Sequence, residues 1–305
     1  MKIAAVDLGT NTFLCLIAEV IGQSPTRSLK VIEDVARVVR LGEKVHENRA
    51  FLPIALERAA RCLTEFQELI KENKVDKVIA TATSAARDAT NGHKLIQLGR
   101  GRGIPIHIIE GRREASLSFA GAVSAVPDAH KRKILVIDVG GGSTELIFSE
   151  NGNTLKERSF DVGCVRQTEI YLKKDPIDFT EYENMKQVVL KVLKEYGRVD
   201  PDLIIAVAGT PTTLACIDQK ISFDDSKVEG HVLTKSRIQE LAKELGSLTL
   251  EERKKVKGLE PLRADVIVAG CALLECGLDV AQQSELRVST RGLRYGVALN
   301  YESFK

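Results

Sequence analysis

Short apolar runs alternate with helical patterns along the whole chain, which is typical of an α/β protein. Ile3–Asp7 predicts a buried strand, and Thr12–Val20 and Leu29–Arg40 predict the strands that follow it. After Pro53 apolar residues recur at steps of three and four, which predicts a helix with one apolar face. Further strands are predicted over Lys77–Thr81 and Ile106–Ile109, and a further helix over residues 112–126.

The same alternation starts again after Pro127–Lys133, a polar connector with a run of basic residues. We place a domain boundary there, with residues 1–126 and about 292–305 in an N-terminal domain and residues 127–291 in a C-terminal domain. The strands predicted in the second half are Ile134–Asp138, Thr144–Ser149, Leu155–Phe160, Leu203–Ala208 and a short one near Leu286–Val288. The helices predicted there are Thr180–Tyr196, Lys235–Leu245, Leu250–Val256, Pro261–Cys276 and one that begins at Gly292.

Length and composition fit this division, because 305 residues exceed the usual length of one domain. The 44 basic and 42 acidic side chains nearly balance, so charge gives no support to nucleic-acid binding. No apolar run approaches ~18 residues, and polar residues interrupt the first one, so we expect neither a membrane span nor a signal peptide. The six cysteines stand apart in apolar stretches, which favours free thiols and a cytoplasmic protein.

A short motif occurs twice, once near the start of each half. Asp7–Thr12 follows the first predicted strand, and Asp138–Glu145 follows the strand that opens the second half. Each copy consists of an aspartate, an aliphatic residue, glycine and a small polar turn that leads into another strand. The repeat predicts two halves that are built on one plan.

The composition of these turns favours phosphate binding. Glycine lets the backbone approach an anion, and successive amide groups then form a concave surface of donors. An aspartate at the end of each strand, Asp7 or Asp138, can hold Mg²⁺ or water near the phosphate. The alternative for each copy alone is an ordinary β-hairpin turn, and its occurrence in both halves favours phosphate. The candidate phosphate-binding residues are Gly9, Thr10, Asn11, Thr12, Gly140, Gly141, Gly142, Ser143 and Thr144.

A third candidate is Gly209-Thr210, which follows the strand ending at Ala208. Pro211 suits the first turn of a helix, so these two residues are predicted at a helix N-terminus, where phosphate can bind. A capped core helix explains the same residues equally well. The chain contains neither a P-loop string nor a nucleophile elbow.

Taken together, these motifs resemble the exopolyphosphatase/guanosine pentaphosphate phosphatase family over nearly the whole chain. The resemblance implies two ribonuclease H-like domains of the actin/sugar-kinase/heat-shock ATPase superfamily with a cleft between them. It also implies that a divalent metal, Mg²⁺, assists hydrolysis of terminal phosphates from polyphosphate or guanosine pentaphosphate. The motifs that carry it are Asp7–Thr12, Ala80–Arg87, Ile109–Ala115, Asp138–Glu145, Ala208–Thr210 and Ser289–Gly296.

The resemblance also assigns roles to single residues. Glu114 matches the catalytic glutamate of the family, Asp138 and Glu145 would bind Mg²⁺, and Arg87 would pair with the phosphate chain. Each residue also has a simpler explanation: a first-turn glutamate stabilised by a helix dipole, a charge at a strand edge, or a surface arginine.

The chain departs from the family at two points. It looks like a short two-domain form, and Leu14 stands where many members have arginine or histidine. Two rival functions stay open: a kinase or ATPase of the same fold, and a non-catalytic sensor of guanosine tetra- or pentaphosphate. A homodimer is also possible.

Overall fold

The computed structural model describes residues 1–23 and 27–304. Contacts between Cα atoms divide the chain into two compact units. Unit 1 holds Met1–Ser124 and Arg291–Lys305, and unit 2 holds Ala125–Thr290. The last residues of the chain therefore belong to unit 1, and unit 2 lies between the two segments of unit 1 in the sequence.

Each unit contains one β-sheet, and the strands are numbered here in chain order. In unit 1 they are β1 (Lys2–Leu8), β2 (Thr12–Ile21), β3 (Ser28–Val38), β4 (Lys77–Ala82) and β5 (Ile106–Ile108). In unit 2 they are β6 (Lys133–Val139), β7 (Thr144–Glu150), β8 (Asn153–Phe160), β9 (Leu203–Val207), β10 (Val232–Thr234) and β11 (Glu285–Val288).

The two sheets are built on one plan. In unit 1 the strand order is β3-β2-β1-β4-β5, in which the first three strands pair antiparallel and β1, β4 and β5 run parallel. In unit 2 the order β8-β7-β6-β9-β11 has the same directions, and β10 pairs antiparallel at the far edge of β11. This duplicated ribonuclease H-like order confirms the predicted fold class and the predicted repeat.

Helices surround both sheets. Among the described residues, no helix combines the length and the apolar character that crossing a bilayer requires. In chain order the helices are α1 (Val45–Asn48), α2 (Pro53–Glu72), α3 (Ser84–Asp88), α4 (His93–Arg100), α5 (Gly111–Val123), α6 (Cys164–Tyr171), α7 (Phe179–Lys194), α8 (Gly209–Gln219), α9 (Asp225–Val228), α10 (Lys235–Gly246), α11 (Leu250–Arg253), α12 (Ile267–Ala281) and α13 (Leu293–Leu299).

The sheet of unit 1 is covered on both faces, which explains the continuous apolar run of β1. Successive side chains of a strand point to opposite faces. Ala4 and Val6 therefore join the cluster that includes α2 and α4, whereas Ile3 and Ala5 join the cluster that includes α5 and α13. A strand buried on both faces reads as an uninterrupted apolar run rather than an alternating one.

The core of unit 2 is organised around α12, whose residues are nearly all buried. Its one buried charge, Glu275, has partners from two other helices. The carboxylate accepts hydrogen bonds from Tyr182 Oη at 2.7 Å and Gln239 Nε2 at 3.2 Å, and Lys186 Nζ lies 2.6 Å away. A buried carboxylate needs such partners, because an unpaired charge in a protein interior is strongly destabilising.

Two predicted helices are wrong in extent. Pro261–Cys276 is not one helix: Pro261–Arg263 forms a 3₁₀ turn, and α12 begins only at Ile267. A hydrogen bond from Val266 N to Arg263 O closes a tight turn between them and interrupts the α-helical pattern. The helix predicted to reach Val256 ends at Arg253, again in tight turns. The sequence pattern also predicts no element at α6, α9 or β10, since each is too short to show a period.

All six cysteines are buried and none forms a disulfide bond. Burial raises the pKa of Cys164 to about 11 and the pKa of Cys62 to about 12, so both thiols stay protonated near neutral pH. This confirms the prediction that the cysteines serve as small apolar residues.

Helix α13 packs on α5 with no space for side chains at two points. A Cβ atom on Gly296 would lie 1.8 Å from the carbonyl oxygen of Leu117, and one on Gly121 would lie 2.1 Å from that of Gly292. Real Cβ atoms do not approach oxygen so closely, so glycine is required at both positions. The two glycines allow the last helix to complete unit 1.

We expect Gly296→Ala to destabilise the protein by about 2 kcal/mol or more, because the added methyl group forces α13 away from α5. Thermal or urea unfolding measures this loss. Gly101→Ala is the matched control, since a Cβ atom there would find its nearest neighbour at 3.5 Å, an ordinary contact. Equal unfolding midpoints for the two variants would contradict the packing described here.

Candidate functional site

The first glycine turn joins β1 to β2. Gly9 N donates to Thr12 O at 3.1 Å, and a Cβ atom on Gly9 would lie 2.8 Å from that same oxygen. Asp7 stands at the end of β1 immediately before the turn and is 9% exposed. The turn is therefore tight enough to need glycine and carries a nearly buried carboxylate at its base.

The segment after β3 supports this turn from behind. Thr10 O accepts a hydrogen bond from Gly42 N at 2.8 Å, and Asn11 O accepts from Val39 N and Arg40 N at 2.9 and 2.8 Å. A trans peptide directs its N–H opposite to its C=O. Because these two carbonyls point towards the supporting segment, the amide groups that follow them point away from it.

The second glycine turn joins β6 to β7 with the same geometry. Gly140 N donates to Ser143 O at 3.0 Å, and a Cβ atom on Gly140 would lie 3.0 Å from that oxygen. Asp138 stands before this turn as Asp7 stands before the first, and it is 8% exposed. The structure thus shows that the repeated sequence motif forms a repeated turn.

The start of α6 supports the second turn through three successive carbonyl groups. Gly140 O accepts from Cys164 N at 3.0 Å, Gly141 O accepts from Arg166 N at 3.1 Å, and Gly142 O accepts from Arg166 Nε at 2.9 Å. The N–H groups of the same three peptides, which belong to Gly141, Gly142 and Ser143, are therefore directed away from α6. Successive amides with a common direction form an anion-binding concavity of the kind that holds phosphate.

Gly163, the residue before α6, makes this close support possible. A Cβ atom there would lie 2.4 Å from both the carbonyl carbon and the carbonyl oxygen of Gly141. Both contacts are with backbone, which cannot turn aside as a flexible side chain can. Only glycine at this position lets α6 approach the turn.

Two carboxylates lie side by side at the base of the second turn. Asp138 and Glu145 are cross-strand partners on β6 and β7, and Glu145 is 1% exposed. Ser159 Oγ donates to Glu145 Oε1 at 2.6 Å, which fixes one oxygen of this carboxylate. In the described part of the chain, no group of three or more His, Cys, Asp or Glu side chains is placed to hold a metal.

The corresponding position in unit 1 has no carboxylate. Asp7 pairs across β1 and β2 with Leu14, in the register that Asp138 and Glu145 occupy in unit 2. The two glycine turns therefore share a backbone but differ in the charge at their base.

The third motif lies where β9 meets α8. Ala208 has φ 80° and ψ −170°, a conformation that is rare for any residue other than glycine. A Cβ atom on Gly209 would lie 1.7 Å from Arg263 Nη1, so the guanidinium group rests directly on the first residue of α8. Burial lowers the pKa of Arg263 from its usual value. An arginine that sequence reasoning missed thus stands at this helix N-terminus.

The Thr210 side chain is 4% exposed and lies against α12, where a Cβ atom on Gly270 would come 2.5 Å from Thr210 Cγ2. This contact is what a core helix would show, although no side chain of the described residues caps the start of α8. A role of Gly209 and Thr210 in phosphate binding stays a prediction.

Glu114 lies in the first turn of α5 and is 7% exposed. Arg87, the fourth residue of α3, donates through Nη1 to Glu114 Oε2 at 2.7 Å and to Ile109 O at 2.9 Å. The structure therefore brings together two of the predicted site residues that are distant in the sequence. Because α5 follows β5 at once and α3 follows β4 closely, both come from the carboxyl ends of adjacent parallel strands.

The predicted residues fall into one group in each unit. Asp7, the first turn, Arg87 and Glu114 belong to unit 1, and Asp138, Glu145, the second turn, Gly209 and Thr210 belong to unit 2. The prediction that the two turns serve one crevice stays a prediction.

Gly163, Arg166 and Arg263 were not predicted as site residues from the sequence. Asp161-Val162-Gly163 directly follows β8. This order of an acidic residue, an aliphatic residue and glycine after a strand is the same as in the two glycine turns, and could have predicted a role for Gly163. Nothing local to Arg166 or Arg263 indicates which backbone groups they contact.

The duplicated sheet order, with a glycine turn after the first strand of each unit, defines the actin, sugar-kinase and heat-shock ATPase superfamily fold. Within that class the chain belongs to the Ppx/GppA phosphatase family, whose sequence profile matches residues 16–303. The resemblance stated from the motifs is confirmed.

Individual relatives agree with this. Exopolyphosphatase 2 of Mycobacterium tuberculosis is 31% identical over 319 residues, which cover 98% of each chain. A guanosine-5'-triphosphate,3'-diphosphate pyrophosphatase of Vibrio vulnificus is 27% identical over 97% of this chain and 58% of that protein. The crystal structure of an exopolyphosphatase from Cytophaga hutchinsonii has a TM-score of 0.88 at 29% identity, and covers 100% of this chain and 99% of that one.

We expect Gly163→Ala to weaken phosphate binding and to lower the unfolding temperature, because the new methyl group pushes α6 from the second turn and releases its carbonyls. Calorimetric titration with tripolyphosphate and thermal unfolding measure the two effects. Gly277→Ala is the control in the same unit, since its nearest neighbour would be the flexible end of Ile137 at 2.8 Å. Unchanged tripolyphosphate affinity in Gly163→Ala would show that the support from α6 is not needed.

Proposed function

We propose that this protein hydrolyses the terminal phosphoanhydride bond of inorganic polyphosphate or of the 5′ triphosphate of guanosine pentaphosphate. The observation that carries the proposal is the nearly buried Glu114 carboxylate, held by Arg87 in the unit that also contains the first glycine turn. The names of the Mycobacterium tuberculosis and Vibrio vulnificus relatives support these two substrates.

Substrate binding in this proposal depends first on backbone donors. The amides of the two glycine turns, with the hydroxyl groups of Thr10, Thr12 and Ser143, bind phosphate oxygens. The hydroxyl group of Thr144, also predicted as a phosphate donor, instead donates its hydrogen to Val162 O at 2.5 Å. The backbone N–H groups are fixed before substrate arrives, because the carbonyl groups of the same turns are already hydrogen bonded to neighbouring segments. Fixed donors stabilise the charge of a transferring phosphoryl group without reorganisation.

Arg87 supplies a charged contact in addition. Only its Nη1 atom makes hydrogen bonds within the described residues, and its side chain is 23% exposed. The Nε and Nη2 groups are therefore available to phosphate oxygens while Nη1 keeps its bond to Glu114. A planar guanidinium suits two phosphate oxygens at once.

The donor set of the second turn fits Mg²⁺. This ion prefers oxygen ligands and is usually held by one or two carboxylates together with substrate phosphates and waters. Asp138 and Glu145 supply such a pair in unit 2, and Asp7 offers a further carboxylate in unit 1. When bound, Mg²⁺ neutralises charge on the phosphate oxygens.

Glu114 acts as the general base. Its carboxylate, which accepts a hydrogen bond from Arg87, orients a water molecule and accepts the proton of that water. The water oxygen forms a bond to the terminal phosphorus as the bond to the bridging oxygen breaks in line with it. The products are orthophosphate and a chain shorter by one phosphate.

A parallel assay of substrates tests the proposal. Purified protein with Mg²⁺ is incubated with long polyphosphate, tripolyphosphate, guanosine pentaphosphate and ATP, and released orthophosphate is measured. Release from polyphosphate or guanosine pentaphosphate in excess of ATP is expected. Consumption of ATP alone favours a kinase or ATPase, and tight binding of guanosine pentaphosphate without release favours a sensor.

We expect Glu114→Gln to keep its fold and its affinity for tripolyphosphate but to lose turnover by at least about 100-fold, because an amide cannot accept the proton of water. Orthophosphate release and calorimetry measure the two properties. Glu110→Gln is the matched control, since Glu110 is an exposed residue immediately before α5. Full turnover by Glu114→Gln would reject the assigned role.

We expect Asp138→Asn and Glu145→Gln each to raise the Mg²⁺ concentration needed for half-maximal turnover roughly tenfold or more, because each removes a negatively charged ligand. Titration of turnover with Mg²⁺ measures this. Glu150→Gln on the same strand, β7, is the control, since Glu150 lies at the opposite end and faces Lys133. A titration curve identical to that of the natural protein would count against both residues as metal ligands.

A further inference from the structure

Ser84 lies beside the first glycine turn, within the motif Ala80–Arg87, of which only Arg87 was assigned a role from the sequence. Strands β1 and β4 run parallel, and Leu8 pairs with Ala82. Ser84 follows Ala82 by two residues, as Thr10 follows Leu8, and parallel neighbours lie about 4.8 Å apart. The chain after β4 therefore emerges next to the turn after β1.

Contacts of Gly42 place these two segments together. A Cβ atom on Gly42 would lie 2.2 Å from Thr10 Cγ2 and 3.2 Å from Ala85 Cβ. The side chains of Thr10 and Ala85 are therefore so close that one methyl group on Gly42 would contact both. Ala85 is the neighbour of Ser84 in the sequence. On a helix, residues three apart lie on one face, so Ser84 shares a face of α3 with Arg87.

The Ser84 hydroxyl is buried with no hydrogen-bond partner among the described residues. The whole residue is 2% exposed, so bulk water does not satisfy this group either. Buried hydroxyl groups nearly always have a partner, because burial without one is costly. A persistent exception therefore indicates a ligand.

A second buried donor lies in the same region. Asn11 Nδ2, in the first turn, is also buried without a partner among the described residues, and Asn11 is 7% exposed. Asn11 and Ser84 therefore do not satisfy each other. One of these donors belongs to the first turn and the other lies on the face of α3 that carries Arg87. Such donors match an acceptor-rich ligand such as phosphate, which carries no donor of its own when fully ionised.

We infer that Ser84 is a phosphate-binding residue, which donates its hydroxyl hydrogen to an oxygen of the phosphate held by the first glycine turn. The inference rests on the proposed function for its ligand class, because it assumes that this turn binds phosphate. In this role Ser84 completes a donor set with Asn11 and Arg87 in unit 1.

The experiment compares Ser84→Ala with Ser124→Ala, each combined with Glu114→Gln so that substrate is not consumed. Ser124 is the matched control because its hydroxyl already donates to Gly121 O at 2.7 Å. Calorimetric titration with tripolyphosphate is expected to give roughly tenfold weaker binding for Ser84→Ala, the effect of losing one hydrogen bond to a charged group. Ser124→Ala is expected to bind as the Glu114→Gln parent does.

Unfolding without ligand separates this role from a structural one. Removal of a hydroxyl that has no partner is expected to leave the unfolding temperature unchanged or to raise it, whereas loss of a structural hydrogen bond lowers it. Weaker binding with unreduced stability supports the inference. Unchanged affinity, or a lower unfolding temperature that accounts for the weaker binding, overturns it.

The outcome is distinguishable from that of the proposed function. If the natural protein releases no orthophosphate but still binds tripolyphosphate in a manner that depends on Ser84, the inference stands and the hydrolytic function falls. If the natural protein hydrolyses polyphosphate and Ser84→Ala binds tripolyphosphate normally, the hydrolytic function stands and the inference about Ser84 falls. If it binds no phosphate compound, both are overturned.

Discussion

Hydrogen bonds to the carbonyl groups of two glycine turns fix the direction in which the amide groups of these turns point. In each unit a neighbouring segment donates these hydrogen bonds. The donors are the residues after β3 in unit 1 and the start of α6 in unit 2. The planarity of the peptide then sets the direction of the amides. The candidate hydrogen-bond donors to phosphate are thus backbone N–H groups, and their direction depends on backbone geometry. The side chains around them add charged and titratable groups.

In each unit a candidate carboxylate is also held by a side chain of the protein itself. Glu114 has Arg87, and Glu145 has Ser159. Such partners are needed because an unpaired charge in a protein interior is strongly destabilising.

Much of this arrangement could be predicted from the sequence, and the reason is local. Strand β1 is apolar throughout because both of its faces are covered, and glycine after an aspartate marks a turn too tight for a side chain. Glu114 is different, because a glutamate in the first turn of a helix has an adequate explanation without catalysis, and only the family resemblance singled it out. Gly163 and Arg263 could not be found, because the groups they contact lie far away along the chain. The 3₁₀ turn before α12 escaped for a similar reason, since it presents Arg263 to Gly209 rather than continuing a periodic pattern.

The register of the two hairpins has a consequence for engineering. The backbone of the fold repeats, yet Leu14 stands opposite Asp7 where Glu145 stands opposite Asp138. A synthetic chain made from two copies of one half would therefore keep the repeated backbone but lose the difference between the two turns. It would carry a pair of acids in both halves or in neither. The two glycine turns thus repeat one backbone, and Leu14 in place of a second acid is the difference between them.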